Sequence, residues 1–237
     1  MDFNLEDLED LEKFLQQIEL TNINNIIKNR KIENLIHFTK LENLNSILKM
    51  GFLSREYLQS NNIPFKFNDF ERRDNKTNAT CFSVEYPNEY LLNKFKKIYF
   101  GSKWLIIIVN INVLLDQDLE KSFCMRNAGG TPNWLNNSDC HRSDAFNKMF
   151  CEDPGSKSDI RSKQYYIKDY LPTDVQAEIL IKGNIGVNYI KRIIFESSDD
   201  LDLCIENYVE NLLLNKYNPI VDERYFKKRE DFPWEDR

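Results

Sequence analysis

One stretch constrains the fold more than any other: Asn34-Leu35-Ile36-His37-Phe38, followed at once by T-K-L-E-N-L-N-S-I-L-K-M-G. The first part is short and apolar enough for a buried strand. Thr39 and Glu42 have the T-x-x-E spacing of a capping box, so the strand is expected to pass directly into a helix. Leu41, Leu44, Ile47 and Leu48 would form that helix's apolar face, and Gly51 stands where a helix ends on a left-handed residue. A strand handing over to a helix belongs to a mixed α+β architecture.

The rest of the chain agrees with that class. Cys81 to Val84, Lys103 to Asn112, Ala177 to Ile181 and Ile190 to Phe195 read as strands. Glu89 to Lys97, Ala145 to Phe150 and Leu201 to Leu214 read as helices. Residues 54–80 are polar, with one helical turn near Arg55 to Gln59. A loop that long inside a compact domain is usually functional. Residues 123–170 look irregular. Upstream, Phe3, Leu5, Leu8, Leu11, Phe14, Leu15 and Ile18 recur at three- and four-residue spacing, the mark of an amphipathic helix over 3–20. It would be an appendage that packs on the main domain or on a partner, separated from it by the polar TNINN. Three regions result: an acidic helical extension (1–33), a central domain (34–196) and a helical, charged tail (197–237).

Composition removes several classes. The longest apolar run, Trp104 to Val109, is strand-sized and far short of the roughly 20 residues of a membrane span. The N-terminus MDFNLEDLEDLEKF is acidic where a secretory leader would be basic. Five cysteines without paired spacing suit reduced thiols in a cytoplasmic protein, and no metal-ligand spacing occurs. The G-x-G-x-x-G, G-x-x-x-x-G-K and G-x-S-x-G motifs are all missing. The net charge of -6 conceals an uneven distribution: residues 1–20 carry -6, residues 196–237 carry -6, and residues 21–195 carry +6. A basic middle can attract phosphate despite acidic ends.

Three polar groups stand out. His37 lies inside an apolar strand, where a histidine is more often a core residue than a ligand. Asn68-Asp69-x-x-Arg72-x-Asp74 sits in the long polar loop, as a solvated turn also would. Glu178 opens a strand, between Ala177 and Ile179. A buried carboxylate there needs a partner or a ligand, and a surface glutamate on an edge strand is the competing view.

Seven collinear pieces resemble the DarT family of DNA ADP-ribosyltransferase toxins: LIHFTKLENLNSILKMGFL (35–53), NDFERRD (68–74), CFSVEYPNEY (81–90), WLIIIVNI (104–111), FCMRNA (123–128), AFNKMF (145–150) and DVQAEILI (174–181). The 123–128 and 145–150 pieces are more similar to the guanine-modifying branch than to the thymine-modifying one. The resemblance implies the ADP-ribosyltransferase fold, two small packed β-sheets around an NAD cleft with flanking helices. NAD would be the substrate, nicotinamide the leaving group, and a nucleobase in single-stranded DNA the acceptor, with RNA or protein as the alternative target. A toxin–antitoxin or phage-defence role and a macrodomain antitoxin that removes ADP-ribose are implied too. Carried over residue by residue, Glu178 is the catalytic glutamate and Arg72 orients NAD and supports catalysis. His37, Thr39 and Asn43 contact NAD, as does Ser83 or Tyr86. Tyr86, Tyr90, Phe123, Trp134, Tyr165 and Tyr166 are available as stacking platforms for bases, near Lys157, Arg161, Lys163 and Lys168. A purely binding, non-catalytic module is the rival of another class.

Overall fold

The structure, a computed structural model, describes residues 5–69, 72–130, 134–151 and 166–231. Seven strands lie in the order β4-β5-β2-β1-β3-β6-β7: β1 (Asn34–Lys40), β2 (Ala79–Val84), β3 (Trp104–Asn110), β4 (Glu120–Cys124), β5 (Glu178–Lys182), β6 (Ile190–Phe195) and β7 (Ile220–Val221). All neighbours are antiparallel except β6 and β7. Strand β3 reads WLIIIV without alternation because both its faces are covered. Leu105, Ile107 and Val109 join the main core with Leu35, Phe82, Ile179 and Ile193. Ile106 and Ile108 face the other way, against Leu92 and Phe95 of α4 (Glu89–Ile98) and Phe226.

The sheet divides in the middle. Strand β1 pairs with β3 along all seven residues, from Asn34↔Asn110 to Lys40↔Trp104, but with β2 only at Leu35↔Val84 and Ile36↔Ser83. Beyond Ile36 the two halves part. The Cys81 carbonyl, released from the ladder, lies 2.9 Å from Nδ1 of His37. The imidazole fills the wedge, edge-on to Phe52 at 5.2 Å and tilted against Phe82 at 5.6 Å.

Several expectations need correction. Thr39 does not cap a helix. Strand β1 runs on to Lys40, whose ammonium lies over the Tyr99 ring, and a 3-10 turn (Leu41–Asn43) precedes α2 (Leu44–Met50). Gly51 does terminate α2, at φ +82° and hard against the Ile185 carbonyl. Strand β4 opens the stretch expected to be irregular, and Leu201–Leu214 is two helices, α6 (Ser198–Asn207) and α7 (Asn211–Asn215). Upstream of both come α3 (Arg55–Ser60) and α5 (Ser143–Lys148). The N-terminal helix α1 spans Leu5–Arg30, so TNINN lies inside it. Its buried anchors are Leu20, Ile23 and Ile27, while the part of the expected stripe from Leu8 to Ile18 is exposed. The tail adds β7 to the sheet, and Arg229 is buried with its N–H donating to Glu89 Oε1 and its Nη1 to the Pro172 carbonyl, both at 3.0 Å. Among the described residues no helix is long and apolar enough to cross a membrane.

Candidate active site

The two-residue period of β5 sends Ile179 and Ile181 into the core, and Glu178 and Leu180 to the opposite face. Register puts Leu180 beside Cys81 of β2 and Glu178 beside Cys124 of β4. Glu178 is only 7% exposed. Its Oε1 accepts a hydrogen bond from Asn127 Nδ2 at 3.2 Å and its Oε2 one from the Ala128 N–H at 3.1 Å. Burial pushes its pKa up to about 7 and the charge of Asp74 adds to the rise, while the Ala128 N–H and the Arg72 guanidinium hold it down. A carboxyl poised there can exchange a proton near neutral pH.

Arg72 is brought to the same face by a turn in which its own backbone is left-handed, φ +40°. Its Nε lies 3.1 Å from Asp74 Oδ1, Nη1 donates to Cys81 Sγ at 3.2 Å, and Nη2 donates to the carbonyls of Ala79, at 3.1 Å, and Lys76. Burial would lower its pKa, but Cys81, Asp74 and Glu178 outweigh that and raise it. Cys81 therefore ties the site together: its carbonyl holds His37, its sulfur meets Arg72, and its cross-strand partner is two residues from Glu178. Burial lowers the His37 pKa to about 4, with Arg72 contributing in the same direction and the bond to Cys81 opposing it. The ring is neutral at physiological pH. Since Nδ1 must donate to a carbonyl, Nε2 carries the lone pair.

A cleft of about 800 Å³ lies over these groups, lined among others by His37, Thr39, Asn43, Arg72, Ser83 and Glu178. That volume is in the range that holds a cofactor-sized molecule. Asn43 serves the wall of the cleft. Its Nδ2 donates to Thr39 Oγ1 at 3.0 Å and to the Lys66 carbonyl at 2.6 Å, and its Oδ1 accepts from the Lys66 N–H at 2.7 Å. This two-way clamp holds the Phe65–Phe67 pair at the rim, where Arg55 covers the Phe67 ring. Ser83 Oγ accepts from the Asn88 N–H at 3.1 Å. Tyr86 does not reach the cleft: its hydroxyl donates to the carbonyls of Arg224 and Lys227, and its ring stacks on Tyr225. Of the candidate platforms, Tyr90 lines the cleft and is half exposed, and Tyr166 is almost fully exposed. Phe123 is fully buried against Phe146 and is no platform, and Trp134, half-buried, donates to the Phe123 carbonyl. Tyr165, Lys157, Arg161 and Lys163 lie outside the described residues.

Three contributors were missed, Asn88, Asn127 and Ala128, and Asp74, singled out with Arg72, had been given no role. Asn88 is 1% exposed and lines the cleft. Its Oδ1 caps α4 by accepting from the Leu91 N–H, while its Nδ2 is directed at the Glu178 carboxyl, whose pKa it helps to hold down, without closing to a full hydrogen bond. The P-N-E sequence before a helix was a capping signal, but nothing in it says that the other half of the amide faces a cleft.

A family model described as ssDNA thymidine ADP-ribosyltransferase, DarT, matches residues 36–226. The chain belongs to this family. Three solved structures share its fold at low identity. DarTG of Thermosipho africanus in complex with ADP-ribose superposes with a TM-score of 0.51 at 16% identity, over 81% of this chain and 50% of that one. DarT of Thermus sp. 2.9 in complex with ADP-ribosylated ssDNA gives 0.52 at 14%, over 82% and 96%. The same protein in complex with carba-NAD+ gives 0.52 at 12%, over 82% and 97%. The chain thus spans half the length of the Thermosipho chain. No curated protein sequence matches it. DarT enzymes are NAD-dependent ADP-ribosyltransferases, and the family match runs into the tail, to the buried Phe226.

Proposed function

We propose that this DarT enzyme transfers ADP-ribose from NAD to thymidine in single-stranded DNA, with Glu178 as the catalytic group. The observation that carries this is a carboxyl of pKa about 7, buried beside an arginine at the foot of a substrate-sized cleft. Loss of nicotinamide builds positive charge on the ribose, and a carboxylate close by stabilises that charge electrostatically. The same group can then take the proton from the attacking base nitrogen. Asn127 and Ala128 hold both carboxylate oxygens, which fixes their direction. Arg72 lends positive charge at the cleft wall, His37 presents Nε2 as an acceptor, and Asn88 Nδ2 is a buried donor suited to a ribose hydroxyl or a carboxamide oxygen. Thr39, Asn43 and Ser83 shape the wall. Tyr86 has a different task, holding the tail. The sequence likeness of 123–128 and 145–150 to the guanine-modifying branch tells little about the base, because Phe123, Phe146, Met149 and Phe150 are core residues. A toxin role, a macrodomain antitoxin as partner and a cytoplasmic location complete the proposal, and membership of the family supports them. Central residues 34–196 would carry the chemistry, flanked by the extensions 1–33 and 197–237.

The test is transfer from labelled NAD to separate pools of single-stranded oligonucleotides lacking either dT or dG, of RNA, and of protein. Label on every strand that contains dT, and on no other pool, is expected. Label on dG-only strands would replace the base, label on RNA or protein alone would replace the target, and no label with intact folding would leave a binding module.

A further inference from the structure

Over residues 8–18, α1 carries an apolar stripe that no described residue covers. Residues 8–18 are all exposed, and Leu8, Leu11, Phe14, Leu15 and Ile18 are 40–63% exposed. At about 100° per residue these five fall within an arc of about 120°. Leu20, Ile23 and Ile27, which bury the second half of the same helix, are centred about 150° away around the axis. The helix is fixed to the domain at their junction: Gln16 Nε2 donates to the Gln117 carbonyl at 3.0 Å, and Glu19 Oε2 accepts from the Ser143 N–H at 2.8 Å. A continuous helix cannot turn both faces toward one body. The domain on which α1 docks therefore cannot cover the stripe, and a contiguous exposed apolar face of this kind marks an interaction site.

The borders of the stripe say what fits. Leu8, Leu11, Leu15 and Ile18 follow the three-four-three spacing of a coiled-coil seam. Asp10, which Lys13 meets at 3.8 Å, lies beyond Phe14 on one border, and Glu12 lies beyond Leu8 on the other, together with Glu19, which faces Arg142 at 3.8 Å. Residues 1–20 hold one base, Lys13, and carry -6. A second copy would set acidic border against acidic border, the arrangement that flanking charges in coiled coils disfavour. We propose that this face docks an amphipathic helix of a separate protein, with an apolar seam between Lys/Arg borders.

The probes are two labelled synthetic heptad peptides with leucine at the seam, one bordered by lysine and one by glutamate. Each is titrated with the full chain by fluorescence anisotropy, with sedimentation of the chain alone alongside. The lysine peptide is expected to bind, at least about tenfold more tightly than the glutamate peptide and less tightly as salt rises. The double variant Leu11→Asp/Leu15→Asp is expected to lose that binding and keep its ADP-ribosyl transfer, since neither residue lines the cleft. Four results would each overturn the proposal: no binding of either peptide, equal binding of both, binding retained by the variant, or a dimer of the chain that the variant renders monomeric.

Discussion

Replacing Glu178 by Gln keeps the shape of the side chain and removes its charge, and the structure predicts opposite consequences for stability and activity. In the folded chain the carboxyl pKa is about 7, against an ordinary 4.5. The folded state therefore holds the proton more tightly than the unfolded state. The stability this gives is fully present below pH 4.5 and is lost as the pH rises to about 7. A shift of this size corresponds to about 3 kcal/mol. Gln mimics the protonated acid, so the variant and the parent are expected to be equally stable at pH 4.5. At pH 8 the variant should be more stable by about 3 kcal/mol, and an amide that satisfies only one of the Asn127 and Ala128 donors would lower the variant by about 1 kcal/mol at both pH values, leaving the change between them the same. Urea unfolding at the two pH values measures the difference directly. Transfer of labelled ADP-ribose should meanwhile fall roughly 100- to 1000-fold, as when one preorganised charge-stabilising group is lost. A stability difference that does not change with pH would refute the reasoning, because it would mean the carboxyl is not desolvated in the folded chain.

His37 titrates in the opposite sense. Its pKa of about 4 lies below the ordinary 6.5, so its stability contribution is present above pH 6.5 and is lost as the pH falls to about 4. This is again about 3 kcal/mol, enough to offset Glu178 in the parent. His37→Phe should expose the combined dependence of Glu178 and Glu89, both pushed up to about 7 by burial, as a stability that rises on acidification from pH 7 to pH 4.5, and a flat urea profile for the variant would contradict this. Arg72→Lys cannot reproduce the contacts to Cys81, Ala79 and Lys76. Activity should drop about 100-fold, with faster hydrogen exchange over residues 74–81, whereas unchanged exchange would rule out the bracing role. Gly51→Ala forces a left-handed β-carbon against the Ile185 carbonyl and should cost at least about 2 kcal/mol in unfolding experiments. A neutral result would mean that the α2 exit relaxes freely.

Local signals in the sequence marked the residues of the candidate site, while the partners that set their chemistry come from distant segments. The β1 run, the helix after it and Gly51 were legible because spacing and a left-handed terminator act locally. Glu178 was legible as an acid opening a strand. Its burial was not, since that depends on Asn127 and Ala128, fifty residues upstream, and on Asp74 across the loop. Thr39 looked like a cap because T-x-x-E is a local pattern. Tertiary contacts of Lys40 with Tyr99 and of the Leu41 N–H with the Lys103 carbonyl extended the strand past it. Tyr86 could be placed in the cleft only while the tail was treated as an appendage. Once residues 223–231 fold back on β2 and α4, its hydroxyl is already engaged.

The division of the sheet links fold to function. Had β1 and β2 continued to pair, His37 would face Phe82 and Phe38 would face Cys81, and the Cys81 carbonyl would be spent in the ladder. Pairing instead stops after Ile36, and the imidazole takes over that carbonyl while two phenylalanines close round it. A hydrogen bond from a side chain substitutes for one from the backbone, which lets the two halves diverge without leaving a buried acceptor unpaired. The gap so opened is where Arg72, anchored on the same cysteine, and Glu178, on the next strand, face one space. The residue that wedges the sheet apart is thus also the one that, in the function proposed above, would present its second ring nitrogen to NAD. A histidine is suited to both tasks, because one ring nitrogen can donate to the fold while the other accepts from the ligand.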